Sequence, residues 1–113
     1  MRRLTATAAV GAAFALIAGA GSVAAQAPDG QALYQQNCKK CHGATGTPTA
    51  RIAEMYPEIK PLSQAAGISA DSVVALVTNG AGKEMKPFKD KLSPAEIRAV
   101  SEYALTLAKP KTP

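Results

Sequence analysis

The two cysteines and the single histidine of this 113-residue chain all fall within the stretch NCKKCHG, residues 37–43. Whatever group these three residues hold becomes the point round which the rest of a small chain has to pack. On a helix turning about 100° per residue, Cys38, Cys41 and His42 occupy roughly one third of the circumference. All three side chains then face one flat ligand.

What the thiols can do depends on the compartment they reach, and the N-terminus speaks to that. Arg2 and Arg3 are followed by an apolar run from Ala8 to Ala18 and then by small residues ending in VAA and AQA. This is the layout of a secretory leader. Cleavage after Ala25 leaves Gln26 first, whereas cleavage after Ala27 places Pro28 next to the scissile bond. A retained membrane anchor fits less well, because Gly11, Gly19 and Gly21 interrupt a run already short of the about 20 residues a span needs. The expected organisation is a leader over residues 1–25 and one domain over 26–113. That domain is expected in the periplasm, with no stable membrane insertion.

Loss of Arg2 and Arg3 leaves 11 basic residues against 8 acidic ones, a formal +3 in place of +5. Such a balance is too weak to point to nucleic acid. Tyr34, Tyr56, Phe88 and Tyr103 are the aromatics of the domain, and it has no Trp. A domain this small needs a disulfide, a metal or another staple beyond its own apolar core.

Local signals are helical throughout. Asp29 can cap a helix running through Leu33 and Tyr34 to the cysteines, with Gly43 ending it. Residues 44–67 carry Gly46, Pro48, Pro57, Pro61 and Gly67 and read as loop, with one short helical turn at ARIAEMY. Ser69 caps a helix over ADSVVALVT that stops at Asn79-Gly80, and these caps outweigh the strand propensity of Val73, Val74 and Val77. SPAE is a capping box: Ser93 at the N-cap, Pro94 at the first helical position, Glu96 reaching back. Ile97, Val100, Ala104 and Leu107 then repeat at helical spacing up to Pro110. The expected class is all-α.

Several chemistries compete for the cysteine motif. Structural zinc wants four protein ligands, and two Cys and one His fall short. A thioredoxin-like dithiol belongs at a helix N-terminus after a strand, where the dipole lowers a thiol pKa. A disulfide across two residues closes too small a loop to gain much and leaves His42 unexplained. Covalent haem uses every member: Cys38 and Cys41 form thioethers with the two vinyl groups, and His42 places Nε2 on the iron.

In GQALYQQNCKKCHG, in GKEMKPF and in EYALTL, the chain resembles small bacterial cytochromes c of the class I, monohaem type. The resemblance spans the whole domain after the leader. It implies three to five short helices and loops wrapped round one covalently bound haem c, with Gly30 and Tyr34 packing the first helix on Tyr103 of the last. It also implies that Met85 is the second axial ligand, although the commoner family pattern has proline directly after the methionine and Lys86 intervenes here. A thioether is a soft ligand that suits haem iron and raises its potential. Met55 lies 13 residues beyond His42 and Met85 lies 43 beyond it, and the longer stretch better lets the chain wrap to the opposite haem face. Met55 is expected to serve as packing.

With His42 and Met85 both on iron, the expected function is one-electron transfer between exported or membrane redox partners, not enzymatic catalysis. The alternative is a haem protein with an open or displaceable sixth site, reactive towards gases or peroxide. Lys39, Lys40, Lys83, Lys86, Lys89 and Lys91 flank the two ligand segments, so a monomer steering onto redox proteins with acidic docking surfaces is expected.

Overall fold

A computed structural model describes residues 7–13 and 27–109. The expected leader lies largely outside the described residues, as does Pro110. Five helices follow one another: α1 (Gly30–Asn37), α2 (Lys39–His42), α3 (Ala50–Met55), α4 (Ala70–Asn79) and α5 (Pro94–Ala108), with a 3-10 turn over Leu62–Ala65 between α3 and α4. Among the described residues no strand forms, and the Ala81–Met85 pair makes an isolated antiparallel bridge.

Each cap read from the sequence is present. Asp29 Oδ1 accepts from the Ala32 N–H at 3.1 Å, and Ser69 Oγ accepts from the Ser72 N–H at 3.1 Å. At the start of α5 the Glu96 N–H donates to Ser93 Oγ at 3.1 Å while the Ser93 N–H donates to Glu96 Oε1 at 2.9 Å. These bonds satisfy amide donors that a helix start otherwise leaves without partners.

The expected single helix into the cysteine motif is instead broken at Cys38, whose backbone sits at φ −119° and ψ −33°. Just before the break, Asn37 Nδ2 donates to the Leu33 carbonyl at 2.9 Å, and the Cys38 N–H still donates to the Tyr34 carbonyl at 2.8 Å. A new turn then starts from the Cys38 carbonyl, which accepts from both the Cys41 and His42 amides at 3.2 and 2.9 Å. The loop between the motif and α4 holds more structure than its glycines and prolines suggested. Thr49 caps α3, and the Leu62 N–H that opens the 3-10 turn donates to the Gly46 carbonyl at 2.8 Å.

Helices α1 and α5 cross in close contact. At Gly30 the backbones approach so nearly that an added Cβ would lie 2.2 Å from the Ala99 carbonyl oxygen. The rings of Tyr34 and Tyr103 meet beside this point, 5.4 Å between centroids and tilted by 60°, a favoured aromatic arrangement. Helix α4 lies on the other flank of α5, and Arg98 of α5 reaches Asp71 of α4 at 2.8 Å. Tyr34, Val77, Leu92, Ile97 and Val100 form the buried core. Burying a side chain of this size contributes about 1.5–3 kcal/mol. So few of them give a domain that depends on what else it encloses.

Candidate functional site

The crevice between α2 and the loop that follows α4 holds two adjoining cavities, of about 420 and 140 Å³. Cys38, His42 and Met85 line both cavities, and Cys41 lines the larger one. The four residues singled out in the sequence are thus brought together round one space. The smaller cavity is lined by residues that include Tyr34, Leu62, Ile68, Val73 and Val100, and its surface is almost wholly apolar. The larger opens towards Ile59, Phe88 and several lysines.

Local backbone bonds hold Met85 in place. The Ala81 N–H donates to the Met85 carbonyl at 2.9 Å and the Met85 N–H returns to Ala81 at 3.3 Å. The loop is tied back to α4 where the Phe88 N–H donates to the Val77 carbonyl at 3.0 Å. Lys86, the residue that separates Met85 from Pro87, is exposed and donates from Nζ to the Lys83 carbonyl at 3.0 Å. Met55 is 52% exposed at the end of α3, so the expectation that it packs in the interior is corrected: it ends a short surface helix and lines neither cavity.

At the motif, Gly43 closes α2 with φ +79°. A Cβ there would sit 1.8 Å from the Thr47 carbonyl oxygen, so the position admits glycine alone. Burial pushes the His42 imidazole below its usual range, which favours the neutral, metal-binding form. Its Nδ1 is buried with no hydrogen-bond partner. Burial, reinforced by nearby Cys41 and partly offset by Lys91, pushes the Cys38 thiol up to about 11.

These properties sort the competing chemistries. A dithiol redox site needs a depressed thiol pKa, and Cys38 shifts the other way. A zinc site needs further ligands, and no cluster of three or more His, Cys, Asp or Glu side chains with metal-binding geometry occurs among the described residues. A flat apolar group carrying one metal ion fits the donor set. Cys38 and Cys41 border the space, a half-buried imidazole whose charged form is disfavoured lines it, a thioether lines both cavities with that imidazole, and hydrocarbon side chains line much of the rest.

Of the six lysines expected round the site, Lys83, Lys86 and Lys91 line the larger cavity, and Lys39, Lys40 and Lys89 do not. Lys60 and Ile59 line it as well, and sequence reasoning missed both. They lie in the loop after α3, where only the flanking Pro57 and Pro61 signal a turn. Lys91 also places Nζ 5.5 Å from the centroid of the Phe88 ring. Acidic Glu58 and Glu84 stand among these cations.

Over residues 25–103 the chain matches the family described as Cytochrome C oxidase, cbb3-type, subunit III. It is 31% identical over 84 residues to a protein named cytochrome c6 from Nostoc sp. strain PCC 7120, covering 74% of this chain and 73% of that one. Among solved structures it is similar to the KustC0563 c-type cytochrome, with a TM-score of 0.62 and 31% identity over 72% of this chain and 99% of that one. A point mutant of the same protein gives a TM-score of 0.60 at 29% identity, over 70% of this chain and 98% of that one.

Proposed function

The chain belongs to the small monohaem c-type cytochromes, which are electron-transfer proteins and not enzymes, and from that premise we propose that it is an exported carrier whose haem c is held by Cys38, Cys41, His42 and Met85. The observation that carries this reading is the pair of cavities that Cys38, His42 and Met85 share. When bound, the haem supplies the ferric–ferrous couple through which one electron enters and leaves.

The chain's own residues do the rest. Cys38 and Cys41 fix the group in register through thioethers. His42 offers Nε2 as a neutral donor, and Met85 offers its sulfur from a loop pinned to Ala81 and Val77. With His42 and Met85 both supplied by the protein, the bound group would be held by protein donors alone and would offer a substrate no place to bind. Leu62, Ile68, Val73, Val77 and Val100 exclude water, and a methionine sulfur in such surroundings favours the reduced state.

Lys60, Lys83, Lys86 and Lys91 at the mouth of the larger cavity would steer a monomeric carrier onto redox partners with acidic surfaces. An association rate that does not fall with rising salt would refute that part of the reading. Periplasmic delivery rests on the leader read over residues 1–25, and the mass of the mature protein tests it.

The deciding experiment is the absorption spectrum of the exported protein. The weak near-infrared band of sulfur-ligated ferric haem is expected, and carbon monoxide should leave the reduced spectrum unchanged. In Met85→Ala the band should vanish and carbon monoxide should bind. Ready binding of carbon monoxide by the unaltered protein would replace the carrier reading with the open-site alternative.

A further inference from the structure

Tyr34 is almost fully buried, at 1% exposure, and its ring lines the smaller cavity together with Cys38 and His42. Packing against Tyr103 and Val100 accounts for the ring. It does not account for the hydroxyl, which donates to the Gly43 carbonyl at 2.7 Å. Gly43 is the residue directly after the proposed iron-binding histidine.

That residue is held from every direction. The Gly43 N–H donates to the Lys39 carbonyl at 2.8 Å, and its carbonyl accepts a second bond from the Gly46 N–H at 3.3 Å. Its φ of +79° and the nearness of the Thr47 carbonyl oxygen, 1.8 Å from where a Cβ would stand, suit glycine alone. The buried Nδ1 of His42 finds no hydrogen-bond partner among the described residues. In metal sites the usual device for fixing a histidine ring is a bond at the nitrogen that does not bind metal. Here the restraint lies in the backbone next to the ring, and the shortest bond in that restraint comes from Tyr34.

We propose that Tyr34 is a positioning residue: its buried hydroxyl anchors the Gly43 peptide and thereby sets the orientation of the His42 imidazole on the iron. The inference rests on His42 being the axial ligand, as argued above. A phenylalanine would fill the same space and keep the contact with Tyr103, so ring packing and hydroxyl anchoring are separable. The Gly43 carbonyl keeps its bond from Gly46 in that variant, so the fold has a partner left for the exposed acceptor.

The test compares the haem-loaded protein with Tyr34→Phe and with Ser93→Ala, which removes the N-terminal cap of α5 at a residue that lines neither cavity. Three properties are read: melting temperature, midpoint reduction potential, and the g-values of the low-spin ferric electron paramagnetic resonance spectrum. Both variants should melt earlier. Tyr34→Phe alone should shift the g-values and the potential, because these respond to the imidazole plane and its bond to iron. Should g-values and potential of Tyr34→Phe superimpose on those of the unaltered protein, the hydroxyl is only structural and the proposal fails.

If Tyr34→Phe does not fold, site-directed replacement of Tyr34 by 3-fluorotyrosine makes the hydroxyl a stronger donor without removing it. The g-values should then move, and their constancy would overturn the proposal. Failure of the underlying ligation reading has a separate signature: the unaltered protein would lack a low-spin, histidine-ligated spectrum before any variant is made.

Discussion

Replacing Gly30 by alanine sets two elementary effects against each other, and the structure says which prevails. By helix propensity alone the change should stabilise, by about 0.5–1 kcal/mol. The new methyl group, however, would stand 2.2 Å from the Ala99 carbonyl oxygen, 2.8 Å from its carbon and 3.1 Å from Tyr103 Cβ. Ordinary contacts lie at about 3.5–4.0 Å, so α1 has to retreat from α5 by roughly 1 Å. Two of the three blocking atoms belong to the backbone of a 15-residue helix, which cannot swing aside as a side chain would. Overpacking of this kind costs about 1–3 kcal/mol. The retreat also loosens the Tyr34–Tyr103 contact, worth about 0.5–1.5 kcal/mol beyond its buried area. After subtracting the propensity gain, Gly30→Ala should destabilise by about 1–3 kcal/mol. For a domain of this size that lowers the melting temperature by roughly 5–20 °C. Thermal unfolding of the haem-loaded protein followed by circular dichroism reads the shift directly. Ala75→Gly, on an exposed position of α4, is the companion variant and should cost only about 0.5–1 kcal/mol. A Gly30→Ala protein as stable as the original would refute the claim that backbone contact at this crossing holds the helices in place.

Burial raises the Tyr34 phenol from 10.0 to about 12, so the native state keeps a proton that the unfolded chain has released. The associated stability is complete below about pH 10 and is lost as pH climbs towards about 12, at up to about 1.4 kcal/mol per pH unit. Denaturant unfolding across that window should show a steeper alkaline decline for the unaltered protein than for Tyr34→Phe, and parallel curves would count against it. Ser101 is fully buried with an unpartnered hydroxyl, so Ser101→Ala should leave stability unchanged or raise it by about 1 kcal/mol. A loss of stability in that variant would show that the hydroxyl has a partner, such as an enclosed water.

The features legible in the sequence were those whose partners lie a few residues away. Asp29, Ser69 and the Ser93–Glu96 box each cap a helix through bonds three residues long, and such bonds form wherever the local chain turns helical. The Cys38–Cys41–His42 cluster was readable for the same reason, since one turn of chain suffices to group it. The kink at Cys38 escaped because a change of backbone angles at one residue leaves no mark in helix propensity, which is nearly the same on both sides of it.

Long-range placement was a different matter. Lys60 and Ile59 reach the crevice through the path of the loop after α3, and nothing in their immediate neighbours marks them. The two methionines of the domain are chemically identical, yet Met55 ends a surface helix and Met85 lines both cavities together with His42. Their unequal separations from His42, 13 and 43 residues, told them apart in the sequence, and the surface position of Met55 is what the structure adds.

By itself, then, the sequence determined the helical class, the helix starts and the chemistry of the thiol and imidazole donors, because each is written in contacts of short range. The tertiary structure alone decided how closely α1 may approach α5, which lysines border the opening, and that the Tyr34 hydroxyl meets Gly43 nine residues on. Those depend on where distant backbone segments come to rest, and close packing of the whole chain is what fixes that.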